Sequence, residues 1–412
     1  MRSWRQKIFW LILLFLPTQL GRHFWPEWTQ VLGLRIDYLS PTIYLTDILI
    51  FFLLVLSLSE AGSFFKKNIR KPWLLLLFLF FLWLSLGIFQ AANPWAGIMK
   101  LLKMGEFIFL GVYVSRAIKS RLSLQKILTP LFCGVIFEAI IVGTQFLEQK
   151  SIGSLFWLFG ERTFSAQTPG IAQAELAGEL FLRPYGTFSH PNVLAGFLVV
   201  VLVLAAYLGT KSLLTRLTLA AGFLTLFLSM SRVAWIAGFS IGFYWLAKQS
   251  KWLIVAGLFL FVISLGLMYA RFETLVTTDR ESWQRRNDLN LVAAEMIKAR
   301  PLSGVGLGNF LVELPNFYPD RGRVRFLQPA HNLYLMIGAE AGLITLAAFL
   351  VFIFMTYRRL RHAGNLVVKH SLIIALSVIF FLSFFDHYFY TLQQGQLLFS
   401  LILGLSWAEI KN

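Results

Sequence analysis

The chain has 412 residues, of which 57% are hydrophobic, 16% aromatic and 14% charged, with a net charge of +17. A soluble domain carries about 25% charged residues, and one soluble core cannot bury 41 Phe and 13 Trp, so a soluble globular protein is excluded. The positive charge could suggest nucleic acid, but the Lys and Arg sit in short clusters between apolar runs, as cytoplasmic anchors do; no nucleic-acid partner is expected.

Many apolar runs approach the ~20 residues that span a bilayer, and none alternates as barrel strands do. The expected fold is all-α: a polytopic membrane protein of about 12 transmembrane helices, forming a single membrane domain over 1–412. Met1–Gly21 begins basic, but no small-residue cleavage pattern follows, so it reads as the first span. Spans are expected near 8–21, 41–59, 72–92, 97–118, 125–147, 192–209, 213–229, 232–248, 252–270, 332–356, 368–386 and 391–408. The single cysteine, Cys133, allows no disulfide within the chain.

Basic clusters such as Arg2/Arg5/Lys7, Lys66/Lys67/Arg70/Lys71 and Arg358/Arg359/Arg361 fall on every second connection. They assign those connections, and both termini, to the cytoplasm. Arg22 and Arg35, in the first outside connection, run against this rule. Two outside connections are long, 148–191 and 271–331, and are expected to form a cap; the second holds nine Lys/Arg. Within it Leu289, Val292, Ala293, Met296 and Ile297 make an apolar stripe at helical spacing. Pro301 stops that helix. Gly304, Gly306 and Gly308 then read as a turn, since a dinucleotide loop needs a βαβ context.

Candidate site residues follow in chain order. In Arg183-Pro-Tyr-Gly186-Thr-Phe-Ser-His190-Pro-Asn192, Pro191 suits the first position of a helix. That helix N-terminus, with Arg183, favours an anion; a capped helix start with an interfacial arginine gives the same pattern. Arg232 follows Ser231 in a tight outside turn, where it must be paired, face a cavity or reach headgroup phosphates. Arg280, Arg285 and Arg286 suit phosphate, or form a solvated run balanced by Asp279, Glu281 and Asp288.

His331 opens the tenth span and can accept a proton near neutral pH; a helix-capping or interfacial histidine gives the same pattern. Leu335, Gly338 and Gly342 lie below it on one helical face, and the two glycines permit close approach of a helix or a lipid chain. Glu340 faces the opposite way and is expected to bond within the bundle. Asp386-His387-Tyr388 and Tyr390 could shape an acceptor groove, but read first as an aromatic belt. Asp47, Glu106 and Glu138 read as structural partners of Lys100, Lys103 or backbone groups. The outside connections lack a carboxylate cluster with metal spacing, so neither a metal nor a cofactor is expected.

Together these pieces resemble the O-antigen ligase / O-antigen polymerase superfamily of bacterial membrane glycosyltransferases. The resemblance rests on Arg183-x-x-Gly186-x-Phe188-x-His190-Pro191-Asn192, Ser231-Arg232, Pro301-Leu-Ser-Gly304-Val-Gly306-Leu-Gly308-Asn-Phe310, and His331-Asn332-x-Tyr334-Leu335 with Glu340 and Gly342. It covers about residues 180–345. The family's ligases are similar in having a histidine and a glycine with ten residues between them, here His331 and Gly342. They also separate an arginine and a leucine by three residues; Arg232 meets Ile236 at that spacing, a departure, and Arg285 meets Leu289.

The resemblance implies a GT-C-like fold and a polyprenyl-pyrophosphate-linked glycan donor. It implies an acceptor hydroxyl on the lipid A core or on another glycan, at the outer face of the bacterial cytoplasmic membrane. On the same ground His331, Arg232 and Arg183 are the expected catalytic residues. Arg280, Arg285, Arg286, His190, Asn192, Asn332 and Tyr334 are expected on pyrophosphate or glycan. Direct displacement would invert the linkage without a metal. Ligase-type transfer is the first expectation. O-antigen or exopolysaccharide polymerases and protein O-oligosaccharyltransferases share the donor. A transporter or flippase is more distant, because the two halves of the chain show no paired repeats.

Overall fold

A computed structural model describes residues 2–68, 72–176, 179–209, 212–249, 280–318 and 326–410. The described residues are predominantly helical. The helices are α1 (Arg2–Leu14), α2 (Leu45–Asn68), α3 (Pro72–Phe89), α4 (Pro94–Ala117), α5 (Arg121–Glu148), α6 (Pro191–Leu208), α7 (Leu213–Leu228) and α8 (Arg232–Gln249). After residues 250–279 come α9 (Arg280–Ala299), α10 (Phe310–Phe317), α11 (Leu333–Arg361), α12 (Leu366–Leu382), α13 (Tyr388–Thr391) and α14 (Gln393–Trp407).

Helices overlie the expected spans except the ninth, 252–270, which lies outside the described residues. Among the described residues, three helical stretches are long and apolar enough to cross a membrane: Leu124–Glu148, Pro191–Leu208 and Leu333–Arg361. Others, such as Leu213–Leu228 and Leu366–Leu382, are apolar but shorter.

Local chemistry sets the helix starts. Asn93, Ser212, Asn332 and Asn365 each accept a hydrogen bond from an otherwise unpaired N–H of the first turn, which stabilises each start by about 1 kcal/mol. His190 does the same for α6, its Nδ1 accepting from the Asn192 N–H, and Pro191 fills the first helical position.

The centre of the bundle is α6. Its residues from Val193 to Val201 are all buried, enclosed by α5, α7, α8, α12 and α14. Its N-terminus therefore opens at the middle of one end of the bundle. A side chain at Gly196 would collide with the Tyr388 hydroxyl. The glycine thus lets the buried Tyr388 ring lie across α6, which carries α13 to the start of that helix. This overturns the reading of 386–390 as an aromatic belt: Tyr388 and His387 are buried.

Several ionisable residues within the helices have polar partners. Lys100 Nζ meets Glu340 Oε2 at 2.5 Å, and the Tyr390 hydroxyl donates to the same oxygen at 2.8 Å. Lys103 pairs with Asp47, and Glu106 lies 3.6 Å from the same ammonium. Glu138 accepts from the Thr187 N–H and hydroxyl at 3.0 and 2.5 Å.

The all-α expectation needs one correction. Three two-stranded antiparallel sheets lie in the connections: β1 (Gly21–His23) with β4 (Thr42–Tyr44), β2 (Gln30–Val31) with β3 (Leu34–Arg35), and β5 (Gln173–Leu176) with β6 (Glu179–Leu182). Strands of two to four residues are too short to show a period of two in sequence.

The expected stripe on α9 is buried: Leu289, Ala293 and Met296 are fully enclosed. Their partners are Val31, Ile36 and Leu39 of the 21–44 connection, with Val305, Phe310 and Leu314. The 148–190 connection has its own small core of Phe164, Leu182 and Tyr185.

Gly338 and Gly342 differ from expectation in how they act. A Cβ at Gly338 would meet Ile297 of α9 at 2.8 Å, a close helix approach of the expected kind. Gly342, however, breaks α11 with φ 78° and ψ 171°, a conformation essentially confined to glycine. The backbone groups freed by the break bond to the turn after α9. Val305 N–H donates to Ala339 O at 2.8 Å, Gly306 N–H to Glu340 O at 3.0 Å, and Leu343 N–H to Pro301 O at 2.8 Å. A side chain on Gly342 would strike the Leu302 carbonyl.

Candidate functional site

Several connections meet at the end of the bundle where α6 begins. The Arg183 guanidinium donates from Nε to the Ser229 carbonyl at 3.0 Å and from Nη2 to Asn192 Oδ1 at 2.8 Å. Ser229 belongs to the turn leading into Arg232, the first residue of α8. Arg183 thus ties the turn before Arg232 to the start of α6. Asn192 passes the contact on, its Nδ2 donating to Asp386 Oδ2 at 3.4 Å.

Asp386 sits in the corner between α12 and α13. Its neighbour His387 is buried, with Nδ1 2.6 Å from Thr391 Oγ1 and Nε2 3.9 Å from Asp386 Oδ1. The His331 ring stands edge-on to His387, with centroids 5.3 Å apart and an interplanar angle of 75°. The Tyr38 ring of the 21–44 connection meets the same imidazole edge-on at 5.6 Å. Among the described residues His331 Nδ1 is buried without a hydrogen-bond partner. An unsatisfied buried nitrogen costs free energy, so its retention calls for a use.

Burial lowers His331 from 6.5 to about 3, opposed by Asp386 and reinforced by His387 and Arg286. Burial likewise takes His190 to about 3, with Arg183 adding to the effect, and His387 to about 4 against the pull of Asp386. Burial pushes Asp386 upward, but His387, His331, Arg286 and His190 together outweigh it and hold the carboxyl at about 2. At neutral pH the cluster is therefore one carboxylate among three neutral imidazoles.

Among the described arginines of the 280–286 group, Arg286 is the one whose charge acts on all four of these groups. The Arg285 guanidinium lies over the Phe326 ring, 5.2 Å from its centroid. Arg280 begins α9, and its side chain lies outside the described residues. Asn332 and Tyr334 have other bonds. Asn332 Oδ1 caps α11 and its Nδ2 donates to Phe384 O at 3.2 Å, while the Tyr334 hydroxyl donates to Phe380 O at 3.0 Å. Both seat α11 on α12.

Asp386 and His387 are the members that sequence reasoning set aside. The signal was available: an adjacent acid and imidazole at the end of an apolar run are costly there unless they serve a site.

Comparison with known proteins adds a family. Residues 217–350 match the family model described as O-antigen ligase. No curated protein matches the chain. The matched stretch holds Arg232, Arg286, the 301–308 turn, His331 and Gly342, while Arg183, His190 and Asn192 precede it and Asp386 and His387 follow it. Over residues 217–350, then, the chain is similar to the O-antigen ligase family.

Proposed function

We propose that the chain transfers a glycan from a polyprenyl-pyrophosphate-linked donor to an acceptor hydroxyl at the outer face of the bacterial cytoplasmic membrane. Transfer is ligase-type, inverting and metal-independent. The observation that carries this reading is His331. Its Nδ1 is buried and unpartnered, close to Asp386 and Arg286, inside the stretch that matches the ligase family.

An imidazole nitrogen with no partner can take the proton of an acceptor hydroxyl. The hydroxyl oxygen attacks the anomeric carbon, the bond from that carbon to the pyrophosphate oxygen breaks, and the pyrophosphate leaves on its lipid. Arg286 and Arg183 meet the charge that develops on the leaving group, and Arg232 belongs to the same assignment through the turn that Arg183 holds. A base held at about 3 is weak in the empty site. Pyrophosphate arriving near Arg286 offsets the positive charge and raises His331 toward its working range. Hydroxyl activation then depends on a bound donor.

The twelve-span, GT-C-like arrangement, with the basic clusters and both termini in the cytoplasm, is part of the same proposal. A long lipid needs an apolar recess between helices. The cavity of about 170 Å³ lined by Trp83, Leu84, Leu86 and Gly87 beside Glu340 supports that arrangement.

The test uses the purified protein in nanodiscs, given a lipid-linked glycan and either lipid A core or a second lipid-linked glycan. A product on lipid A core is expected; a product only on the second glycan makes the enzyme a polymerase. His331→Ala should lower transfer by about 10²–10⁴-fold. Because Nδ1 makes no hydrogen bond, the thermal midpoint should stay nearly unchanged. Undiminished transfer by that variant would sink the assignment.

A further inference from the structure

The 21–44 connection holds three observations that the transfer reaction does not use. First, Arg22 and Arg35 depart from the charge rule that sorts the other connections. Second, both guanidiniums are laid on aromatic rings. Arg22 lies 5.7 Å from the Phe24 centroid and Arg35 5.7 Å from the Trp25 centroid, while the His23 ring stacks on Trp25 at 5.7 Å and 15°. Third, among the described residues neither arginine has a carboxylate within ion-pair distance.

These groups adjoin the His331 cluster. Tyr38, three positions after Arg35, is the ring that meets His387 edge-on. Arg162, exposed, reaches over from the 148–190 connection and donates to Ser189 O at 3.4 Å, next to His190. Its charge acts on both His23 and Tyr38. The connection is anchored below by Val31, Ile36 and Leu39 in the core shared with α9. The arginines are therefore displayed on a fixed support.

Stacking holds a guanidinium plane in place while leaving its edge N–H donors free. Those donors match carboxylate or phosphate oxygens in a planar fork. The exposed Phe24 ring beside them offers an apolar surface to the C–H face of a sugar ring. Together they suit a polymer that alternates ring faces and anionic groups.

We propose that Arg22, Trp25, Arg35 and Arg162 form a ledge that binds the acidic sugars of a glycan chain extending from the His331 cluster. This rests on the transferase reading for the origin of the chain, but its test does not. The ligand chemistry is an anionic group on a saccharide, either a carboxylate or a phosphate ester. A lipid headgroup is the rival, disfavoured because the connection packs on the cap core and against His387.

Binding is measured on the full chain in phosphatidylcholine nanodiscs. The probes are oligogalacturonate, phosphorylated maltooligosaccharide, neutral maltooligosaccharide and inorganic pyrophosphate. At least one acidic oligosaccharide should bind about tenfold tighter than the neutral one, and the preferred one names the anionic group. Trp25→Ala and Arg35→Ala should each weaken it by about two- to fivefold, the worth of one exposed cation over an aromatic ring. Arg22→Ala and Arg162→Ala, at exposed positions, repeat the test without risk to folding, with thermal midpoints recorded for all four.

Equal binding of neutral and acidic chains would overturn the ledge. So would unchanged affinity in the four variants, or variants that weaken only attachment to phosphatidylglycerol vesicles. Pyrophosphate losing affinity in parallel with the saccharides would also overturn it, as the signature of a plain anion site. Absence of glycan transfer by the parent protein, with intact saccharide binding, counts against the transferase reading alone.

Discussion

Asn192 joins Asp386 across 194 positions of sequence, its side-chain amide donating to the carboxylate at 3.4 Å. Arg183 holds the other end of the same amide at 2.8 Å, so a cation and an anion are spaced by one asparagine. The carboxylate is also the group that works against burial at His331. Asp386→Asn keeps the shape and removes that charge, leaving His331 a still weaker base. Transfer should fall on the order of 10²-fold, with helix content by circular dichroism unchanged. A variant as fast as the parent would remove Asp386 from the machinery.

Arg285 and Arg286 are adjacent but should behave differently. Arg286 lowers His190, His331 and His387, so Arg286→Ala should move their titrations upward, read by NMR of ¹⁵N-labelled histidine. It should also slow transfer by about 10²-fold through the lost contact with the leaving group. Arg285→Ala should leave the histidine titrations where they are, because its guanidinium is spent on Phe326. Equal upward shifts in both variants would contradict the assignment.

The cluster makes stability depend on pH with a defined sign. The three histidines are held below 6.5 when folded, at about 3 to 4, so unfolding takes up protons as the solution becomes acid. Their contribution is complete above pH 6.5 and is lost as pH falls toward 3–4. Asp386, held at about 2 against an ordinary 3.8, acts in the same direction at lower pH. The thermal midpoint should rise with pH over this window and level off above neutrality, with a shallower slope in His331→Ala. A midpoint that falls with rising pH there would count against neutral buried imidazoles.

Gly342 is far from the cluster in chemistry but not in consequence. Alanine there must adopt φ 78° and ψ 171° and displace the Leu302 carbonyl. The strain alone costs about 1–3 kcal/mol, and the 301–306 turn must shift. Gly342→Ala should therefore lose stability and transfer together, whereas Gly364→Ala, which meets nothing within 4 Å, should lose neither. Parental thermal midpoints in both would show that the break is dispensable.

The bundle was legible in the sequence because apolar length and basic punctuation are local signals, and Pro191 marks a helix start. The α9 stripe was legible for the same reason: Leu289, Val292, Ala293 and Met296 repeat on one face. The site was legible only in part. His331, Arg183, His190 and Asn192 stand beside helix starts, where sequence shows them. Asp386 and His387 reach the cluster only because Tyr388 crosses α6 at Gly196, a long-range fit that no local pattern encodes. The break at Gly342 was hidden by a spacing that also suits helix contact, and the choice between Arg285 and Arg286 depended on the facing of α9.

The division of α11 at Gly342 also separates two mechanical regimes. Above it, residues 333–341 are stitched to the 301–306 turn and to Ile297; below it, residues 343–361 bury only Thr345, Ile353, Thr356 and Leu360. A bilayer of different thickness tilts spanning helices, but a rod severed at one residue does not pass its tilt to the far segment. His331 rides on the far segment. The enzyme should then hold its catalytic geometry across membranes of unequal thickness, with transfer rates in nanodiscs of short- and long-chain lipids agreeing within about twofold, a difference worth less than 1 kcal/mol. A steep thickness dependence would mean that the two segments still move as one.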